Sequence, residues 1–156
     1  MTPDARAEPA ERLPPETLAM WLWGAALEVL ILCVAAFALA RSVSQLMPWL
    51  PLGIAVAGVV YVALVPRARL RRWRWGLDEE DLDIIHGLWR VRRIVVPLTR
   101  IQHVSVERTA WTDTFGLVQL HVHTAAGETT IPGLRRAQAD DARDRILAQL
   151  RTPDDL

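Results

Sequence analysis

Hydrophobic positions run in two long blocks near the start of the chain and then, past an arginine-dense strip, break into short alternating stretches. The first block, Thr17 to Ala40, carries one charge, Glu28, and the second, Leu46 to Val65, carries none. At about 1.5 Å rise per residue, each is long enough to cross or nearly cross the roughly 30 Å hydrocarbon core of a bilayer. Only Arg41 to Gln45 separates them, so they predict a transmembrane helical hairpin. The segment before them opens with more acid than base and lacks the basic start and small-residue cleavage site of a signal peptide, so the first span is expected to be retained.

After the strip the period changes from helical to two. Strands are expected at Trp73 to Leu77, Leu82 to His86, Leu88 to Val96, Ile101 to Glu107, Val118 to His123 and Glu128 to Ile131, with turns at Asp78 to Asp81, Gly87, Pro97 and Ala125 to Gly127. Val118, Leu120 and Val122 alternate with Gln119, His121 and His123, which places the first three inward. Pro132 and Gly133 are expected to end the last strand. Ala139, Ala142, Ile146 and Leu150 then recur at helical spacing, with Leu147 widening the stripe, Asp140 and Asp141 nearer its start, Arg151 at its end and Pro153 beyond. The fold class is α+β: a two-helix transmembrane hairpin, then a small barrel or sandwich closed by a C-terminal helix, since neither a striped helix nor a half-apolar sheet buries its apolar side alone. The expected segments are an N-terminal tail, 1–16; the hairpin, 17–65; a juxtamembrane basic segment, 66–75; the compact domain, 73–151; and a C-terminal tail, 152–156.

Charge placement sets orientation. Arg67, Arg69, Arg71, Arg72 and Arg74 follow the second span, whereas the hairpin loop holds only Arg41, so the positive-inside rule puts the C-terminal domain in the cytoplasm, and two crossings put the N-terminal tail there too. Trp21, Trp23, Trp49, Trp73 and Trp75 fall near the span ends, where indole rings suit the headgroup layer. The 156 residues leave about 85 after the hairpin, enough for one compact domain. Formal charge sums to zero, which argues against nucleic acid as a general partner. The single cysteine, Cys33, lies inside the first span and rules out an intrachain disulfide.

Glu28 is the one ionisable group in the spans, and such groups are costly enough to need a partner. Counting outward from the loop puts it at the depth of Val59, within reach of Tyr61, so a hydrogen-bonded Glu28–Tyr61 pair is expected, with Gly24 on one helix and Gly53 and Ala57 on the other forming small-residue stripes. Proton-linked chemistry is the competing reading of Glu28.

The runs Trp75-Gly76-Leu77-Asp78, Gly87-Leu88-Trp89-Arg90-Val91-Arg92-Arg93, Val96-Pro97-Leu98-Thr99-Arg100-Ile101-Gln102-His103-Val104, Phe115-Gly116-Leu117 and Ile131-Pro132-Gly133-Leu134 resemble the bacterial membrane-flanked pleckstrin-homology (PH)-like domain of the YdbS-like proteins. The likeness extends from Leu46 onward, with the same hairpin ahead of it. It implies a PH-like sandwich of about seven strands capped by a helix, no catalytic residues, no cofactor, and a place in the bacterial inner membrane. It also implies a membrane-protein partner with related PH-like domains, or a homo-oligomer.

PH domains that bind phosphoinositides use basic residues near the loop joining their first two strands. Here that turn is Asp78-Glu79-Glu80-Asp81, whose carboxylates repel phosphate. Arg67, Arg69, Arg71, Arg72 and Arg74 are better placed to touch membrane lipid, at roughly 1 kcal/mol each near an anionic leaflet. Arg90, Arg92 and Arg93 read as a solvated strand face, with another anion-binding site as the alternative. His103, His121 and His123 share an outward face, but with no cysteine and no metal-spaced carboxylate beside them no metal site is expected. Ser105 beside His103 lacks an orienting acid and an oxyanion site. Phe115 is expected in the core, and Trp111 to anchor a partner, together with Asp78, Glu79 and Glu80. The expectation is a non-enzymatic membrane-anchored adaptor; the alternative is a sensor of anionic lipid or envelope stress acting through the basic strip and hairpin.

Overall fold

The computed structural model describes residues 9–42 and 49–150, so most of the hairpin loop, the first eight residues, and Arg151 and Pro153 lie outside the described residues. The chain divides into two units: residues 18–71, and a domain built from residues up to Thr17 together with those from Arg72 onward.

The first unit holds two long helices, α1 (Glu16–Ser42) and α2 (Leu50–Arg72). Both are long and apolar enough to cross a membrane. Helix α2 runs past the apolar block, through Pro66, to Arg72, so most of the basic segment is helical. The Arg, Ala and Leu residues after the proline are strong helix formers. The Arg67 guanidinium also folds back to donate to the Ala63 carbonyl at 2.6 Å. The helices meet closely at Gly58, where a Cβ would collide with the Val29 side chain, whereas Gly53 faces open space. The small residue that permits this approach is therefore Gly58, outside the anticipated Gly53–Ala57 stripe.

The second unit is a sandwich of two antiparallel sheets. One runs in the order β1 (Glu11–Arg12), β2 (Arg74–Leu77), β3 (Asp81–His86) and β4 (Arg92–Pro97); the other in the order β5 (Ile101–Glu107), β6 (Leu117–Thr124) and β7 (Gly127–Arg135). A 3-10 turn, Leu98–Arg100, leads from β4 to β5; a five-residue helix, α3 (Ala110–Thr114), separates β5 from β6. The long C-terminal helix α4 (Arg136–Leu150) packs on β5, β6 and β7. Leu82, Ile84, Leu117, Leu120, Val122, Ile131, Leu134, Ala139, Ala142 and Ile146 are buried between the layers, while Leu147 stays exposed.

Several expectations change. The seventh strand lies in the segment read as a tail: Glu11 and Arg12 pair with Trp75 and Arg74 and extend the first sheet. A two-residue strand has no period to read, and only its partner defines it. Trp73 and Trp75 are 5% and 2% exposed, core residues rather than headgroup anchors. Once α2 stops at Arg72, strand alternation turns Trp73, Trp75 and Leu77 inward. The third predicted strand starts only at Arg92, because Gly87 at φ +131° opens a tight loop over residues 87–91. Strand β7 does not stop at Pro132 and Gly133 but passes through them, its register with β6 shifting between Val118 and Leu120. A bulge is where a strand tolerates proline, and Gly133 takes the left-handed conformation there, φ +69°. Its carbonyl accepts a 2.6 Å hydrogen bond from the fully buried Thr17 hydroxyl, which ties the first turn of α1 into the sandwich.

Candidate functional site

The β2–β3 turn is the most strongly charged feature of the domain. Asp78 N–H donates to the Asp81 carbonyl at 2.9 Å, closing the turn, and Leu98 N–H donates to the Glu80 carbonyl at 2.8 Å, fastening it to the 3-10 turn. Those backbone bonds leave the carboxylates of Asp78, Glu79 and Glu80 exposed. They border two open grooves. One, of about 380 Å³, is lined by Asp78, Glu79, Glu80, Asp81, Asp83 and Val95. The other, of about 510 Å³, runs between Glu79, Glu80 and Asp81 on one side and Pro97, Leu98, Thr99 and Gln149 on the other.

Asp83 adds a charge that the sequence reading did not single out. It is nearly buried, and Arg93 grips it with Nε and the second guanidinium nitrogen, at 2.9 and 2.6 Å from one carboxylate oxygen. Arg93 therefore stays on the exposed face of β4 but is held to Asp83 across the ladder. The signal was in the sequence, an aspartate inside the apolar run Leu82 to Ile85, but its partner ten residues on becomes visible only once β3 and β4 pair. With Arg93 so engaged, the turn and its grooves present negative charge and suit a cationic ligand, not a phosphate.

Trp111 stands on α3, whose start is fixed by a capping box: Thr112 N–H donates to Thr109 Oγ1 at 3.1 Å and Thr109 N–H to Thr112 Oγ1 at 3.0 Å. Its ring is 43% exposed and meets Phe115 edge-on at 5.3 Å, with Phe115 half-buried.

In the basic strip, Arg69 lies over the Trp21 ring at 4.4 Å, Arg67 caps the Ala63 carbonyl, and Arg72 donates to the Leu88 carbonyl. Arg71 is exposed at the end of α2, and Arg74 begins β2. Glu28 and Tyr61 line one groove of about 390 Å³ between α1 and α2, with Val29, Leu32, Ile54, Ala57 and Gly58. No hydrogen bond joins the two side chains, and both are exposed on the helix pair. The expected pair thus shares a groove, beside the contact of Gly58 with Val29, without the bond.

His121 faces the open side of the second sheet, where its side chain is largely covered by Glu128, Thr130 and Glu107. It donates to Glu128, which holds that carboxyl below its usual value against a smaller desolvation effect. His103 and His123 lie side by side, ring centres 5.8 Å apart, but among the described residues no group of three or more His, Cys, Asp or Glu side chains is arranged to hold a metal ion. Ser105 sits opposite His121 in the β5–β6 ladder.

The profile of the bacterial PH domain family matches residues 20–150. The chain belongs to that family. Among curated proteins, the bacterial PH domain protein described here is 30% identical over 156 residues to the UPF0699 transmembrane protein YdbS of Bacillus subtilis (strain 168), covering 96% of this chain and 98% of that one. No solved structure matches it. The family match and the relative agree with the two membrane-capable helices and the sandwich: this is a membrane protein with a bacterial PH-like domain.

Proposed function

We propose that this protein is a non-enzymatic, membrane-anchored adaptor of the bacterial inner membrane, whose PH-like domain lies at the cytoplasmic face and binds a basic surface of another membrane or membrane-proximal protein. The observation that carries the reading is the exposed acidic β2–β3 turn with its two bordering grooves, whose negative charge complements a basic surface. Trp111, on its capped helix, offers an aromatic anchor of the kind that dominates many interfaces. The arginine asymmetry supports the orientation. The pairing of β1 with β2 supports a common side of the membrane for the segment before α1 and the domain after α2. The alternative of a lipid or stress sensor has less behind it, since Arg67, Arg69 and Arg72 already have partners within the chain.

The test is charge reversal in the full chain. Asp78→Lys, Glu79→Lys and Glu80→Lys together should leave the protein folded and in the membrane but abolish the complex recovered by crosslinking in native membranes. An unchanged complex, or tight binding of anionic headgroups by the unmodified turn, contradicts the proposal.

A further inference from the structure

Trp89 is 96% exposed, more than any other large hydrophobic residue among those described. Its neighbour Val91 is 59% exposed, and Arg90 and Arg92, also exposed, flank them. The β3–β4 loop that carries them is shaped by Gly87: at φ +131° it turns the chain so tightly that a Cβ there would collide with the Arg90 carbonyl. A loop held this closely keeps a bulky indole outside the sandwich, where water alone gives it no favourable surface.

The loop has a second feature. Arg72, the last residue of α2, donates from its guanidinium to the Leu88 carbonyl, so the residue preceding Trp89 is held within one side chain of the point where the chain leaves its second membrane-capable helix. Arg72 follows Val65, the end of the charge-free block, by seven helical steps, about 10 Å of rise in an upright helix and less depth in a tilted one, which keeps Arg72 beside the headgroup layer. An indole flanked by guanidiniums at that depth matches the two chemistries of the interface: an amphipathic ring for the headgroup–acyl boundary and positive charge for an anionic leaflet.

We infer that the β3–β4 loop is an interfacial anchor, with Trp89 and Val91 seated in the headgroup layer of the bilayer and Arg90 and Arg92 on anionic lipid. The contact is independent of the acidic turn, which lies at the opposite end of β3, six residues of extended strand away. The anchor fixes one end of the sandwich to the leaflet and leaves the other for a partner.

The full chain carrying Cys33→Ser and a single new cysteine, Val91→Cys or Ala126→Cys, is labelled with an environment-sensitive fluorophore. It is then reconstituted into vesicles of equal parts phosphatidylglycerol and phosphatidylcholine. Ala126 lies in the exposed β6–β7 turn and serves as the reference. Phosphatidylcholine bearing a shallow doxyl group should quench the label at position 91 severalfold more than the label at 126, and adding Trp89→Ser should bring position 91 down to the reference. Equal quenching at the two positions, as when a protein rather than lipid covers the loop, overturns the inference. So does quenching at 91 that survives the loss of Trp89.

Discussion

The bond from Thr17 to Gly133 puts a number on how firmly the first turn of α1 belongs to the domain. Thr17 is fully buried, and its hydroxyl donates to the Gly133 carbonyl at the β7 bulge. Thr17→Val keeps the shape and removes the donor. A buried carbonyl left unsatisfied costs about 1–3 kcal/mol. For a domain of this size each kcal/mol moves the melting temperature by about 4–8 °C, so a fall of roughly 4–24 °C is expected. The complementary change, Gly133→Ala, is penalised twice. The left-handed conformation costs a residue with a Cβ about 1–2 kcal/mol, and the added carbon would stand 2.5 Å from Thr17 Cγ2 and 2.7 Å from Oγ1. In a Thr17→Ala background the two closest contacts disappear, leaving the backbone strain and a 3.1 Å approach to the Thr17 Cβ, so the two changes should be clearly non-additive. Thermal unfolding of the full chain in detergent, followed by the fluorescence of the buried Trp73 and Trp75, measures all four corners of the cycle. A Thr17→Val protein that melts with the parent, or a Gly133→Ala cost that is the same in both backgrounds, would refute the claim that this contact carries load in the domain.

Two further outcomes follow from the site geometry. Because no hydrogen bond joins Glu28 to Tyr61, Glu28→Leu should leave the isolated chain's thermal stability in detergent unchanged, and a drop of the order of 1 kcal/mol would reveal a bond between the helices. Glu128 is held below its ordinary value chiefly by the hydrogen bond from His121, so its contribution to stability is present above the unfolded-state pKa and lost as pH falls through the lower folded-state value. Urea unfolding should therefore show the parent more stable than Glu128→Gln at neutral pH, with the gap closing on acidification below the usual glutamate range; a gap that widens in acid contradicts the assignment.

Local order was legible in the sequence wherever one stretch of chain carries its own signal. The two membrane helices announce themselves by unbroken apolarity, and β3, β5 and β6 by alternation, because strand side chains face opposite ways at every step. The acidic turn was equally plain, since four consecutive acids between two apolar runs have no core to enter. Tertiary structure decided what depends on a distant partner. Strand β1 exists only because β2 offers it an edge, and Trp73 and Trp75 became core because the end of α2 set the phase of the strand that follows. Asp83 and Arg93 meet only across a ladder, and β7 survives a proline and a glycine only because β6 accommodates the bulge. Exposure of Trp89 belongs to the same class: its run of apolar and basic residues reads as strand, and the closure of the Gly87 loop over the Arg90 carbonyl turns it outward. Periodicity and composition report what each residue prefers of its surroundings, whereas register, bulges and loop closure are set by contacts between segments far apart in the chain, and those arise only when the whole sandwich packs.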